Sequence, residues 1–426
     1  MNKKNHNHKL EDVNFGHNHN LIGDWEALKE DKILKSIVVF LAITLLLTLI
    51  GLIALWPNNS NEEQLAERSS QIGIGYEQYN AVVEQITEEE CSYSSPEDIQ
   101  NCRTIVITPN GGINKSELLV LGEYNMSQID LPNPTAGQKI VIGYEPATDF
   151  YFYLDSDRRG SIILVTIIFA ITVIALARVR GLLALFSMVM TLIVLAGFIA
   201  PSILNGNDPL LVAVIGSSAI AFVSLYLTHG FSPTTTVALA GTLGSLLLTL
   251  AFSIIFFRLA NFTGIASEEG ATLSLLQTNL NMSSLLLAGA VIGALGALDD
   301  ITVTQVATIA EIHNHNKDLT ISELFTSGIR VGKEHIASTV NTLLLAYAGA
   351  GLPLILLFSA NVEQNKLDSQ LGPLGFIDKY LATANSEVVA IELLRTFCGS
   401  VGLVAAVPIT SALAAILVGF KKDIKQ

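Results

Sequence analysis

The sequence predicts a mostly α membrane protein: a polytopic bundle of about eight transmembrane helices with a small extracytoplasmic β-barrel-like domain between the first and second. Half of the 426 residues are apolar and only 15% are charged, a balance suited to a chain solvated largely by lipid. The apolar residues gather into runs at 36–56, 160–177, 182–204, 209–228, 235–257, 283–307, 337–359 and 388–419. Each approaches or exceeds the ~20 residues with which a helix crosses about 30 Å of hydrocarbon while satisfying its own backbone. Residues 57–157, between the first two runs, are instead polar, acidic and β-prone, so the chain leaves the membrane there to build a separate domain.

The lead, residues 1–35, is rich in Asn, His and Lys without periodicity and reads as a disordered cytoplasmic tail. The run 36–56 ends at Trp56-Pro57 with no small-residue cleavage motif, which predicts an uncleaved signal anchor. In the domain 57–157, short strands are predicted at Tyr79 to Ile86, Thr104 to Thr108, Glu117 to Gly122 and Lys139 to Tyr144. Asn110-Gly111-Gly112 supplies the positive φ angles of a hairpin turn. Cys91 and Cys102 both fall in this domain, where an oxidising compartment permits a disulfide, whereas Cys398 falls in the eighth run.

Residues 158–420 form a seven-helix transmembrane domain with two long connections. One, 258–282, carries Leu273, Leu275 and Leu276 toward the membrane surface. The other, 308–336, holds a short helix that Thr320 or Ser322 caps and Glu323 complements. Residues 421–426 close the chain as a cytoplasmic tail.

Lysine and arginine beside the spans set the orientation. Lys29, Lys32 and Lys35, then Arg178 and Arg180, then Lys317, Arg330 and Lys333, and finally Lys421, Lys422 and Lys425 fall on one side if both termini are cytoplasmic. Arg158 and Arg159 oppose the rule, but they follow an acidic stretch of the translocated domain. The net charge of −14 is mostly that domain's, and it excludes nucleic acid as a partner.

The sharpest chemical feature is a pair of adjacent carboxylates, Asp299 and Asp300, inside the apolar run that begins at 283. A charge within hydrocarbon costs at least a few kcal/mol, so such residues seldom face lipid. At 100° per residue, Gly289, Gly293, Gly296, Asp300, Thr304, Ala307 and Glu311 share one stripe, which predicts that Asp300 points toward an approaching helix. Asp299, Asp300, Thr302, Thr304 and Gln305 then make an oxygen-rich site for a proton or small cation, against the plainer reading that the carboxylates only tie helices together. The next helix offers His335, Thr339, Asn341 and Thr342 at the same expected depth, on a stripe continuing through Ala346, Gly349 and Pro353. Asp300 is therefore expected within reach of His335 or Thr342.

In the last helix Glu392 and Arg395, three apart, are expected to pair locally, because Arg395 lies too near the outer end to reach Asp300. Six histidines form His-Asn-His pairs: His6 and His8, His17 and His19, His313 and His315. Imidazole suits zinc, nickel or copper, but the spacing matches no defined zinc motif and equally describes solvated polar segments.

The segments Phe262-Thr263-Gly264-Ile265, Gly293 to Gln305, Arg330 to Thr342, Ala346 to Gly349, Glu392 to Thr396 and Gly399 to Leu403 resemble the YibE/F-like family of bacterial multi-helix membrane proteins. With the β-rich domain ending at Asp155 to Arg159, the resemblance covers nearly the whole chain. It implies a multi-pass protein of the bacterial plasma membrane and no particular substrate or cofactor.

The expected function is a transporter or permease that moves a small solute or ion, as a homo-oligomer or beside a partner subunit. Its rival is a non-transporting scaffold or sensor. No G-x-x-x-x-G-K-[ST] run is present, so nucleotide hydrolysis would need a separate subunit. Gly296-Ala297-Leu298-Asp299 faintly resembles an intramembrane aspartyl protease motif. That chemistry needs a second acid from another helix, and no enzyme activity is expected.

Overall fold

The computed structural model describes residues 32–58, 62–72, 74–91, 100–111, 117–126, 133–146, 148–353, 356, 381 and 384–419. Six helices among them are long and apolar enough to cross a membrane: Ile33–Ala54, Arg159–Leu204, Pro209–His229, Pro233–Leu259, Met282–His315 and Glu387–Val418. The protein is a multi-pass membrane protein. In chain order its elements begin with α1 (Lys32–Ala54), α2 (Glu62–Gln71), β1 (Glu77–Glu90), β2 (Asn101–Pro109), β3 (Leu119–Asn125), β4 (Lys139–Glu145) and β5 (Phe150–Ser156). There follow α3 (Arg159–Val194), a π-helical turn (Leu195–Ile199), α4 (Ala200–Leu204), α5 (Pro209–His229) and α6 (Pro233–Leu259). The last are α7 (Glu268–Leu276), α8 (Met282–His315), α9 (Ile321–Ala350) and α10 (Glu387–Gly419). Two compact units result: Leu55–Val212 with Thr263–Leu285, and Met1–Ala54 with Ala213–Phe262 and Leu286–Gln426.

In the first unit an antiparallel sheet runs in the order β3-β2-β1-β4-β5. Alternate residues point inward and close a core of Ala81, Val83, Ile105, Ile107, Leu121, Ile140, Ile142, Tyr144 and Tyr151. Register shifts between Val83 and Gln85, Thr104 and Ile105, and Val141 and Ile142 curl the sheet. Its two edges approach where the Tyr153 amide donates to Tyr124 Oη at 3.0 Å. Among the described residues no ladder joins β3 to β5, so the domain is a half-barrel. Cys91 and Cys102 are bonded, with their sulfurs 2.08 Å apart, and the bridge ties the end of β1 to β2.

Two details depart from expectation. The fifth strand contains Phe150-Tyr151-Phe152-Tyr153, aromatic on both faces, and so lacks the alternation by which the other strands announce themselves. The Asn110-Gly111 step is not a tight hairpin: β3 resumes only at Leu119, and Gly111 is not left-handed. The Asn110 amide donates to the Asn80 carbonyl of β1 at 2.7 Å, which continues the β1–β2 pairing one residue beyond Pro109. Gly112 lies outside the described residues.

The apolar stretch Arg159–Leu204 spans 46 residues, which as one straight helix would be about 69 Å long, over twice the hydrocarbon thickness. Arg178 interrupts it with φ 52°. A Cβ on Gly181 would lie 2.6 Å from the carbonyl oxygen of Val173, a residue eight positions away and about 12 Å distant along a straight helix. The chain thus bends back sharply at Arg178, where the sequence places a turn between two spans. Below the π-helical turn, Ser202 Oγ donates to the Leu55 carbonyl at 2.7 Å and Gln277 Nε2 to that of Leu204 at 3.0 Å. The predicted loop 258–282 contains α7, capped where Ser267 Oγ accepts from the Gly270 amide at 3.0 Å. Leu275 of α7 is exposed.

The second unit is organised around α6, which buries residues on nearly every side, from Pro233 to Phe257. It packs antiparallel to α10 in a four-residue register. A Cβ on Gly241 would lie 2.5 Å from Thr410 Oγ1, and one on Gly402 would collide with Thr249 Oγ1. One turn further on, Ser253 reaches Cys398. Within a membrane there is no hydrophobic force to press helices together, so close backbone approach through small residues supplies the packing.

The predicted loop 308–336 is largely helical. α8 runs on to His315 and α9 begins at Ile321, leaving a connection of only a few residues. Thr320 caps α9: its Oγ1 accepts from the Glu323 amide at 3.3 Å, and its own amide donates to Glu323 Oε2 at 2.8 Å. α9 is absent from the six membrane-length helices because its first half carries Glu323, Arg330, Lys333, Glu334 and His335. The predicted span 337–359 lies partly outside the described residues.

Gly241→Ala should lower thermal stability in detergent by about 1–3 kcal/mol through overpacking. Thr410→Ala should be nearly neutral alone and should restore most of the loss in the double variant. At the end of the sheet, Arg159 donates to Asp157 through Nε at 2.8 Å and Nη2 at 2.7 Å, which holds that carboxyl near about 2 instead of its ordinary 3.8. A depressed folded-state pKa contributes stability that is present above the ordinary value and is lost as pH falls through about 2. NMR of aspartate-labelled protein should find Asp157 ionised at about pH 3, with Arg159→Ala returning its titration to the usual carboxylate range.

Candidate functional site

α8 is a 34-residue helix, and its two faces differ. Ala290, Ala294, Leu298, Ile301, Thr302, Gln305 and Ile309 are buried. Gly289, Gly293, Gly296, Asp300, Thr304, Ala307 and Glu311 do share a stripe, as their spacing predicts, but every one of them is exposed among the described residues. Among the described residues Asp300 therefore points toward no approaching helix. The reason is where α9 packs: Gln305 Nε2 donates to the Gly328 carbonyl at 2.7 Å, and a Cβ on Gly328 would lie 2.7 Å from Ile309 Cδ1. Gln305 and Ile309 stand about 140° and 180° around the helix from Asp300. The C-terminal part of α8 and the N-terminal part of α9 do meet, through the face opposite the one expected.

Asp299, about 100° from Asp300, turns into the bundle instead. It is half-buried, Ser224 of α5 lies within hydrogen-bonding reach of its carboxyl, and its Oδ1 has no partner among the described residues. One turn along, Thr302 Oγ1 donates to the Asp299 carbonyl at 3.2 Å and lies 2.7 Å from Thr242 Oγ1 of α6. Gln305 completes the polar column by donating to Ser411 Oγ of α10 at 2.7 Å. Four helices thus bring a carboxylate, hydroxyls and an amide into the interior of this unit. The donor set is hard oxygen, suited to a proton or a small cation.

Of the other expected site residues, the structure brings few to this column. Thr304, Asn341 and Thr342 are exposed, and the Thr339 and Thr342 hydroxyls donate to the carbonyls of His335 and Ser338 at 2.9 and 3.0 Å. Those two threonines serve their own helix. His335 is half-buried with Nε2 unpartnered among the described residues, and no bond joins it to Asp300. Arg395 Nη1 donates to Glu392 Oε1 at 2.7 Å, and its guanidinium lies 3.6 Å from where a Cβ of Gly289 would stand. The local pair is present, eleven residues along α8 from Asp300.

Ser224, Thr242 and Ser411 were missed in the sequence. Thr242 could have been found, because Thr242, Ser245, Thr249 and Ser253 recur at three- and four-residue spacing; Ser224 and Ser411 carry no such signal.

His313 and His315 do not chelate together. Both lie on α8, where residues two apart point about 200° from each other. His313 is buried, and His315 is exposed beside Glu311, with Nδ1 3.4 Å from Oε1. Among the described residues no three His, Cys, Asp or Glu side chains gather as metal ligands. His6, His8, His17 and His19 lie outside those residues. No second carboxyl from another helix faces Asp299 among them either, and Glu392 is occupied by Arg395.

The helical region defined by this polar column is that of a known class. A family model described as YibE/F-like protein matches residues 165–371 and 374–419. The chain belongs to the YibE/F-like family. The match begins within α3, so the sheet lies outside it, and the resemblance is narrower than the sequence motifs imply. No curated protein and no solved structure matches the chain.

With Cys398 replaced by serine, a cysteine pair made by Ile309→Cys and Gly328→Cys should crosslink with a short reagent, whereas Thr304→Cys with Ser338→Cys should not. The reverse pattern on denaturing gels would show that α9 packs against the Asp300 face.

Proposed function

We propose that this protein is a membrane transporter or permease whose proton- or cation-coupled site centres on Asp299. In this reading both termini are cytoplasmic, the sheet stands outside the bacterial plasma membrane, and the polar column occupies the inner half of the bundle. The disposition of lysine and arginine beside the spans supports that orientation. One observation supports the site above the rest: an interior carboxyl with one oxygen unpartnered among the described residues, beside the hydroxyl of another helix. Such a group is costly to keep charged and alone in a low-dielectric interior, and uptake of a proton or a small cation relieves that cost. Asp299 is the carrier, Ser224 and the Thr302–Thr242 pair supply neutral oxygens, and Gln305 holds α8 to α9 and α10.

A role as the permease subunit of a larger complex is favoured by the open stripe on α8. A lipid-facing Asp300 would be expensive, whereas glycines at Gly293 and Gly296 admit another helix closely.

Full-length protein in liposomes holding a pH-sensitive dye should couple proton movement to at least one imposed gradient of Na⁺, K⁺, Mg²⁺ or Zn²⁺. Asp299→Asn should reduce that flux about a hundredfold or more, as expected when the proton-carrying group itself is removed. Asp300→Asn should retain it. Equal flux from wild type and Asp299→Asn at equal incorporation would sink the assignment.

A further inference from the structure

Where the sheet ends and α3 begins, the first unit opens into a cleft of about 570 Å³, within the range of small-molecule sites. Tyr76, Tyr79, Asp155, Arg158, Arg159 and Ile162 are among the residues that line it. The two arginines are used differently. Arg159 is committed, with Nε and Nη2 gripping both oxygens of Asp157 and Nη2 also reaching Asn80 Oδ1. Among the described residues Arg158 makes a single side-chain bond, from Nη1 to Asp155 Oδ2, and both members of that pair remain more than half exposed, at 61% and 55%. The Arg158 guanidinium thus keeps donors free for a ligand, and Asp155, held below the usual carboxylate range chiefly by Arg158, presents a fixed negative charge beside it.

The cleft also has a direction. Arg158 immediately precedes α3, whose first turns expose Ile162, Ile163, Leu164 and Val165 at the start of a membrane-length apolar helix. Asp155 lies three residues back in β5, toward the sheet. Passing from hydrocarbon to water, the wall therefore offers an apolar side chain, then a cation, then an anion, and Tyr76 also lines the cleft. A phospholipid with an ammonium headgroup presents the complementary order: acyl chains, then phosphate, then ammonium.

We propose that this cleft binds the headgroup of a zwitterionic aminophospholipid of the surrounding membrane, with its phosphate on Arg158 and its ammonium on Asp155. Arginine suits phosphate through its planar fork of donors, and the Asp155 carboxylate accepts charge-assisted hydrogen bonds from an ammonium. The site is separate from Asp299 and does not depend on transport.

Native mass spectrometry of the full chain released from detergent, with phosphatidylethanolamine titrated in, tests this directly. Wild type should retain the lipid, and Arg158→Gln and Asp155→Asn should each weaken retention about tenfold, the scale of one lost charge-assisted hydrogen bond. The exchanged variant Asp155→Arg with Arg158→Asp keeps an ion pair, and hence the fold, while reversing the order of charges. It should fail to retain phosphatidylethanolamine at a melting temperature near that of wild type. Retention by the exchanged variant equal to wild type would overturn the proposal. So would equal retention of phosphatidylglycerol, which lacks the ammonium, and so would free phosphoethanolamine displacing the lipid at equal concentration.

Discussion

Gly241 and Gly402 allow α6 and α10 to approach until a threonine hydroxyl from each helix rests against the glycine of the other. Much of the helical unit depends on this contact. In water two such helices would be driven together by burying apolar surface, but lipid is as apolar as leucine and gives no such drive. Cohesion comes from many short contacts, each available only where neither helix carries a bulky side chain. The four-residue recurrence of Gly241, Ser245, Thr249 and Ser253, met by Cys398, Gly402 and Thr410, sets the antiparallel register. With α6 fixed against α10, α8 and α9 are held to the pair through Thr242, Ser411 and Gln305.

This packing also decides which of two adjacent aspartates is interior. Neighbouring positions on a helix differ by 100°, so Asp299 and Asp300 face different surroundings. Gln305 and Ile309 seat α9, Thr302 seats α6, and the rotation left over carries Asp299 toward Ser224 and Asp300 to the open stripe. A carboxyl among hydroxyls and a carboxyl on a glycine-lined surface are different chemical objects: the first fits ion or proton exchange, the second fits assembly.

The sheet domain follows other rules. Its core is built by two-residue alternation, its closure by register shifts and a tyrosine hydroxyl, and a disulfide ties the end of β1 to β2. At its junction with α3, Arg158 and Arg159 stand beside the start of a span. Asp155 and Asp157 neutralise them one for one. Both pairs are local, and all four residues line the cleft.

Periodicity and composition alone made the membrane class, most of the spans, the acidic β domain, the Arg178 turn and the Thr320–Glu323 cap legible, because each depends on residues close together in the chain. The stripe through Gly289, Asp300 and Glu311 was equally legible as a stripe, but its direction was not. A helical repeat says which residues share a face, and only the neighbouring helices say whether that face is inside. Tertiary structure alone therefore turned Asp299 inward, gave it Ser224, placed α9 against Gln305 and Ile309, and extended α8 and α9 through a predicted loop. It also made Phe150–Ser156 a strand, since aromatic residues on both faces hide the alternation until β4 lies alongside.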